Sequence, residues 1–299
     1  MATGVMTGVS IIIPTYNRAG KVVRALASAL YQTFKNFEII VVDDGSTDET
    51  PDNLSKLHGH IVHITHPANR GVSAARNTGI RAARYPSIAF LDSDDYWFAG
   101  KLEAQVAFFH RNPEAVACQT EEIWIRNGRR VNPRRKHLKP SGDILIPSLK
   151  LCVVSPSAVM IKRSLLHEVG LFDEDLPACE DYDLWLRIAC RYPVHLINRP
   201  FLVKEGGNPD QLSAKYKGMD RFRIKALIKL IKGHPLNEAQ LEATLKELSE
   251  KCRIYGHGCL RRGKKEEAEY YLGLPERDLP ASTPSRIPER PYPLDNILT

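Results

Sequence analysis

Up to Gly100 the chain alternates between two hydrophobic periods. Val9–Ile13 is an unbroken apolar run ended by Pro14, which suits a strand covered on both faces. Asn17 follows as a candidate cap for a helix whose apolar positions Val22, Leu26 and Leu30 recur every four residues. Glu38–Val42 predicts a second buried strand, stopped by the turn cluster Asp43-Asp44-Gly45-Ser46, with Thr47 or Asp48 able to start a helix. Ile61–Thr65 predicts a third strand. Gly71-Val72-Ser73 opens an alanine-rich helix to about Arg84, and Ile88–Leu91 is a fourth strand running into Asp92.

This alternation predicts an α/β fold with right-handed crossovers and a mostly parallel sheet. Ligands of such sheets sit beyond the carboxyl ends of the strands. Those four ends carry Pro14-Thr15-Tyr16-Asn17, Asp43-Asp44, His66–Arg70 and Asp92-Ser93-Asp94-Asp95, so the polar chemistry gathers along one edge. Beyond Gly100 the pattern loosens. Ala117–Arg126 and Arg129–Val131 predict a hairpin turning at Asn127-Gly128. Ser164 caps a short helix closed by Gly170, Glu180–Cys190 is a longer helix, and Pro193–Lys204 is extended. From Asp220 to about Leu272 the pattern is helical, in two or three amphipathic segments, the last of which resembles a single tetratricopeptide-like hairpin. The expected organisation is a catalytic domain over residues 8–205, a helical region over 215–274 and a Pro-rich loose tail over 275–299.

Composition narrows the classes. With 43% apolar and 26% charged residues, wholesale disorder is excluded. No stretch reaches the ~18 apolar residues of a membrane span; the nearest, Ile144 to Ile161, is broken by Pro147, Lys150 and Pro156. The N-terminal segment has no basic n-region and reads as a strand rather than a secretion signal. Six cysteines form no C-x-x-C pair, which argues against zinc and for thiols in a reducing compartment. Lys+Arg exceed Asp+Glu by 42 − 35, a net charge of +7. Arg126, Arg129, Arg130, Arg134, Arg135, Lys136 and Lys139, with no acid among them, equal that excess by themselves. The basicity is a local patch, open to three readings: a contact with an anionic membrane surface, a contact with an acidic acceptor glycan, or a solvated loop.

Each chemical cluster has a bland and a functional reading. Asp92, Asp94 and Asp95 form either an acidic turn or a seat for a hard divalent ion, which takes carboxylate and phosphate oxygens. Asp43-Asp44 makes a polar turn or accepts hydrogen bonds from a base or ribose. In Asn69–Gly79, Arg70 or Arg76 neutralises a diphosphate, or merely decorates a helix. Glu180, Asp181 and Asp183 complement a helix dipole or include a general base. The dipole lowers the pKa of such a group and neighbouring like charges raise it.

Together and in this order, SIIIPTYNR (Ser10–Arg18), IIVVDDGSTDET (Ile39–Thr50), NRGVSAARNTG (Asn69–Gly79), FLDSDD (Phe90–Asp95) and GLFDEDLPACEDYDLWLR (Gly170–Arg187) resemble the inverting family 2 glycosyltransferases of GT-A fold. The likeness covers about residues 8–205 and implies a Rossmann-like nucleotide-binding domain with a helical appendage. It implies a metal-dependent enzyme that moves a sugar from a nucleoside diphosphate, UDP by preference, to a hydroxyl of a glycan, lipid-linked or other acceptor, in bacterial surface glycan or polysaccharide synthesis. By resemblance, Pro14, Thr15, Tyr16, Asn17 and Asp44 hold the nucleobase with Asp43 nearby. Arg70 first, and Arg76 second, approach the nucleotide. Asp92 and Ser93 lie on the nucleotide, Asp92-x-Asp94 is the D-x-D motif for Mn²⁺ or Mg²⁺, and Asp181 is the catalytic base with Glu180 as its alternate. One departure stands out. Many members of that family place a histidine after the last strand, where this chain has KEGGNPDQLS (Lys204–Ser213), with Asn208 near that position.

The expected location is cytoplasmic, with the basic segment Arg126–Lys139 offering one route to a peripheral contact at the inner face of the cytoplasmic membrane, and a homodimer among the open assemblies. Three competing functions are weaker. A nucleic-acid binder would suffer repulsion from the acidic strand ends and lacks interleaved aromatics. A sugar nucleotidyltransferase would need a glycine-rich phosphate loop that Pro14–Gly20 does not provide. A non-catalytic nucleotide-sugar or glycan binder on the same scaffold would have no need of a base at Asp181.

Overall fold

The computed structural model describes residues 8–57, 59–207, 215–216 and 218–277. Strands Val9–Thr15 (β1), Phe37–Asp43 (β2), Val62–Thr65 (β3) and Ser87–Phe90 (β4) pair in parallel in the order β3-β2-β1-β4. Helices Ala19–Leu30 (α1), Thr50–Ser55 (α2) and Val72–Ala82 (α3) cross between them. The apolar runs are continuous because both faces are covered. Ile11 and Ile13 pack with Val22 and Leu26 of α1, while Ile12 packs with Ala75 and Ile80 of α3. Gly79 permits that second contact, since a Cβ there would lie 2.5 Å from Ile12 Cγ2.

Beyond this parallel half the sheet becomes mixed. Tyr96–Trp97 (β5), Lys101–Arg111 (α4), Ala117–Arg126 (β6), Arg129–Val131 (β7), Leu145–Lys150 (α5), Val159–Lys162 (β8), Leu165–Val169 (α6), Glu180–Ala189 (α7) and His195–Gly206 (β9) follow. The order runs on as β4-β8-β6-β9-β5, with β7 on β6. β8 is antiparallel to β4 and β6, whereas β6 and β9 are parallel with register shifts between Thr120 and Glu122. The hairpin at Asn127-Gly128 forms as its sequence predicts, with both residues at positive φ.

Several elements differ from the sequence reading. Asn17 does not cap α1. Its φ is 51°, and its side chain accepts from Thr47 N at 2.8 Å, tying the first loop to the second. β5, α5 and β8 carry no clear periodic signal, whereas α4 buries Leu102, Val106 and Phe109 at helical spacing. The stretch around Pro147, Lys150 and Pro156 divides into α5, a 3₁₀ turn at Pro156–Ala158, and β8.

Helices Asp220–Gly233 (α8), Glu238–Arg261 (α9) and Lys265–Arg277 (α10) complete the chain's described part. α9 starts on a capping box between Asn237 and Gln240. Ile224, Leu227 and Leu230 of α8 and Leu248 and Cys252 of α9 share one buried cluster with Tyr182, Trp185 and Ile188 of α7. α10 runs through Pro275 to Arg277, and the remainder of the expected tail, 278–299, lies outside the described residues. Among the described residues no helix is long and apolar enough to cross a membrane.

Candidate active site

The parallel strands deliver their polar ends to one edge. Thr15 and Asp43 are opposite one another in the β1–β2 register, both buried. Asp43 Oδ1 accepts from Ser46 N at 3.0 Å, while Asp43 Oδ2 and Thr15 Oγ1 are buried atoms with no hydrogen-bond partner among the described residues. Pro14 is buried beside them, and Tyr16 is exposed at the rim.

Asp44 is placed differently from its neighbour. Its Oδ1 accepts from Arg70 N at 3.0 Å and pairs with His66 Nδ1 at 2.7 Å, and its Oδ2 accepts from Gly71 N at 2.7 Å. It closes the loop that opens α3, and the partnerless oxygen of this pair belongs to Asp43. The close approach requires Gly45, which has φ +77° and whose Cβ would lie 2.8 Å from the Ala68 backbone. His66, not among the sequence candidates, also reaches Thr78 Oγ1 at 3.0 Å.

The two arginines exchange prominence. Arg70 is exposed and reaches Glu174 at 3.3 Å. Arg76 is buried, with Nη1 2.7 Å from Glu180 Oε1 and Nη2 2.7 Å from Asp92 Oδ1. It lies over the Phe172 ring, and its Nε has no hydrogen-bond partner among the described residues. Burial alone would lower its pKa, but Asp92 and Glu180 outweigh that and raise it. One guanidinium therefore joins the aspartate turn after β4 to the start of α7.

That turn is clamped from several sides. Ser157 Oγ accepts from Asp92 N at 3.0 Å and donates to Asp95 Oδ2 at 2.6 Å. Asp95 Oδ1 accepts from Glu205 N at 3.1 Å, and Arg24 donates to the Asp94 carbonyl at 3.1 Å. Burial, followed by the charge of Asp94, pushes the Asp95 carboxyl well above the usual range. Ser93 is buried, and Asp92 and Asp94 are half-buried. Two oxygen-donor side chains on one turn fit a hard divalent ion that keeps waters or takes phosphate oxygens. Among the described residues no group of three His, Cys, Asp or Glu could hold a metal, so these residues by themselves build no closed cage.

α7 begins from Cys179 in the left-handed region, φ 64°. Asp181 Oδ1 accepts from Tyr182 N at 2.7 Å, and Cys152 Sγ lies 3.5 Å from Asp181 Oδ2. Glu180 is buried. Burial first, then the adjacent Asp181 charge, push its carboxyl up to about 7 against the pull of Arg76. At this helix start desolvation prevails over the dipole. Asn77 holds the preceding loop by bonding Phe172 N and O, at 3.0 and 2.9 Å.

Sequence reasoning passed over Ser157, Cys152 and Lys204 as site residues. Cys152 and Ser157 lie in a stretch without periodicity, and Lys204 ends an apolar strand. Asn208 lies outside the described residues.

A curled sheet whose polar edge joins an aspartate turn to a carboxylate-bearing helix is the architecture of a GT-A glycosyltransferase. The profile of the family described as Glycosyl transferase family 2 matches residues 10–170, and the chain belongs to that family. It is 34% identical over 201 residues to an uncharacterized glycosyltransferase of Rickettsia felis, covering 64% of this chain and 32% of that protein. The chain thus spans about a third of that relative's length. It is 34% identical over 198 residues to the Escherichia coli UDP-Glc:alpha-D-GlcNAc-diphosphoundecaprenol beta-1,3-glucosyltransferase WfgD, covering 66% of this chain and 76% of that one. Its fold is similar to that of S. aureus TarS in complex with UDP-GlcNAc, with TM-score 0.73, 21% identity and coverage of 91% and 81%. It is also similar to the mannosyltransferase PcManGT of Pyrobaculum calidifontis in complex with GDP-Man and Mn²⁺, with TM-score 0.59, 18% identity and coverage of 90% and 86%.

Proposed function

We propose that this glycosyltransferase moves a sugar, with inversion, from a UDP-linked donor to a hydroxyl of a lipid-linked glycan in bacterial surface glycan synthesis. The observation that carries the proposal is the Arg76 bridge, which holds Asp92 and Glu180 on the same guanidinium and so brings the aspartate turn and the Asp181 helix to one cleft. The buried, partnerless Asp43 Oδ2 and Thr15 Oγ1 supply the polar end for a nucleobase, with Tyr16 available to stack beside it.

In the reaction, Asp181 takes the proton of the acceptor hydroxyl. The freed oxygen attacks the anomeric carbon from the face opposite the diphosphate, and the bond from that carbon to the diphosphate oxygen breaks. A single displacement inverts configuration. Asp94 and Asp92 would hold a Mn²⁺ or Mg²⁺ ion, which when bound offsets the charge that develops on the departing diphosphate. Arg76 fixes Asp92 and Glu180, and Asn77 fixes the loop that leads to α7. The glucosyltransferase relative, whose name specifies UDP-Glc and a diphosphoundecaprenol-linked GlcNAc, supports the donor and acceptor classes.

A lipid-linked acceptor is presented at a bilayer, and the basic segment supports a peripheral position on the cytoplasmic face. Arg126, Arg129, Arg130, Arg134, Arg135 and Lys136 are all exposed, with Leu138 60% exposed beside them. Lys139 turns inward to Glu122 at 2.8 Å and tethers the segment.

The test is a thermal-shift panel of UDP, GDP and dTDP sugars with and without Mn²⁺, followed by transfer assays on a GlcNAc-diphosphate lipid. Stabilisation by a UDP-sugar and a β-linked product are expected. Absence of nucleotide binding in every arm would overturn the reading.

A further inference from the structure

Lys204 has no part in the mechanism above, yet β9 carries it against the connecting stretch next to the aspartate turn. It is opposite Trp124 on β6, and the next residue, Glu205, donates its backbone N–H to Asp95 at 3.1 Å. Lys204 Nζ lies 3.4 Å from Ser155 Oγ. Ser155 belongs to the same connecting stretch that sets Cys152 against Asp181 and Ser157 against Asp95. The ammonium therefore stands where the aspartate turn, the connecting stretch and the α7 helix start come together.

Its surroundings are acidic but already partly matched. Glu122 has Lys139 at 2.8 Å, and Asp92 shares Arg76 with Glu180. Although burial lowers the Lys204 pKa, Glu122, Asp95, Asp92 and Asp181 prevail and raise it, so the group stays charged. A fixed ammonium that feels the charges of Asp92 and Asp95, and a divalent ion on the same turn, repel one another. The repulsion is largest when no anionic ligand is present. A nucleoside diphosphate brings negative charge that attracts both cations at once.

We infer that Lys204 is a positioning residue that serves as the resident counter-cation of the acidic cleft, so that the nucleotide-free protein holds a divalent ion weakly and the ion enters with the diphosphate. The inference rests on Asp92 and Asp94 as the ion-bearing turn. It adds a reason, in this chain's own residues, for the protein to bind ion and donor together.

The experiment is a Mn²⁺ titration of the full chain, followed by the electron paramagnetic resonance signal of free Mn²⁺, with and without UDP. Wild type is expected to bind Mn²⁺ at least tenfold more tightly with UDP. Without UDP, Lys204→Met should tighten Mn²⁺ binding about tenfold, the scale of removing one nearby charge in a half-solvated site. Lys204→Arg, which keeps the charge, should restore the weak wild-type affinity. With UDP the Lys204→Met difference should shrink to about threefold or less. An equal Mn²⁺ affinity of Lys204→Met and wild type without UDP would overturn the inference. So would a wild-type affinity that UDP leaves unchanged while UDP itself binds, a result that needs no variant and holds even if Lys204→Met does not fold. If UDP does not bind at all yet Lys204→Met still tightens Mn²⁺, the donor assignment fails and the counter-cation role stands.

Discussion

Lys229 Nζ lies 3.0 Å from Asp183 Oδ1, which ties α8 to the helix that carries Asp181. The same ammonium is 2.6 Å from Asp173, and Asp183 also receives Arg187 at 2.8 Å. Lys229 is a third exposed, whereas Asp183 and Arg187 are buried. Lys229→Ala should therefore lower stability by about 1 kcal/mol, because Arg187 still matches Asp183. Asp183→Ala should cost about 3 kcal/mol, because it leaves a buried guanidinium without its carboxylate. Urea unfolding followed by circular dichroism separates the two, and equal losses would show that the pairs are not organised as described.

Asp181→Asn keeps the size of the side chain and removes the proposed base. Turnover should fall by about 10²–10⁴-fold, while UDP affinity, measured by calorimetry, should stay within about twofold. Near-normal turnover would transfer the role of base to another group, with Glu180 the first to examine.

Asp94→Ala removes a carboxylate from the aspartate turn without touching the Arg76 bridge. Both turnover and the Mn²⁺-dependent part of UDP binding should decline together. A variant that lost turnover but retained Mn²⁺-dependent UDP binding in full would place the ion elsewhere.

Glu180 gives the protein a specific pH signature. Its carboxyl rises from an ordinary 4.5 to about 7 in the fold, chiefly through burial. Between those values the folded chain holds a proton that the unfolded chain has released, so stability contributed by this group falls as pH rises from about 4.5 to 7 and is level above that. The change is on the order of a few kcal/mol. Glu180→Gln should flatten that decline, so the variant gains on wild type between pH 5 and pH 8 in chemical denaturation. Parallel curves for the two proteins would remove the effect from Glu180.

Replacing Arg134, Arg135 and Lys136 by Glu tests the basic segment without reaching the cleft. At about 1 kcal/mol for each charge near an anionic surface, partitioning onto phosphatidylglycerol vesicles should drop by about 10²-fold or more, with little change on phosphatidylcholine. Equal sedimentation of variant and wild type would leave the segment as a solvated loop.

The parallel half of the fold was legible because Ile11–Ile13 and Ile39–Val42 are short, β-branched apolar runs stopped by Pro14 and by Asp43-Asp44-Gly45, which suits strands covered on both faces. The positions of Asp43, Asp92 and Asp181 followed from strand ends and a helix start. What the chain order did not disclose was pairing across space. Asp43 and Asp44 look equivalent as neighbours, yet alternation turns one oxygen of Asp43 into a partnerless pocket and commits Asp44 to His66 and the loop backbone. Arg76 ranked behind Arg70 because only the tertiary structure shows α3 burying it between Asp92 and Glu180. Ser157 and Cys152 acquire their roles through a connection with no periodicity for sequence reasoning to use.

The family profile stops at residue 170, ten positions before the helix that carries Asp181, while one hydrophobic cluster continues from that helix through Leu227, Leu248 and Cys252. A fragment trimmed to the profile would lack Asp181, the proposed proton acceptor, altogether. One ending after β9 would leave Tyr182 and Trp185 with a missing wall. Anyone exchanging segments between relatives to redirect acceptor choice should move α8 and α9 together with the lobe they complete, as a single transplant.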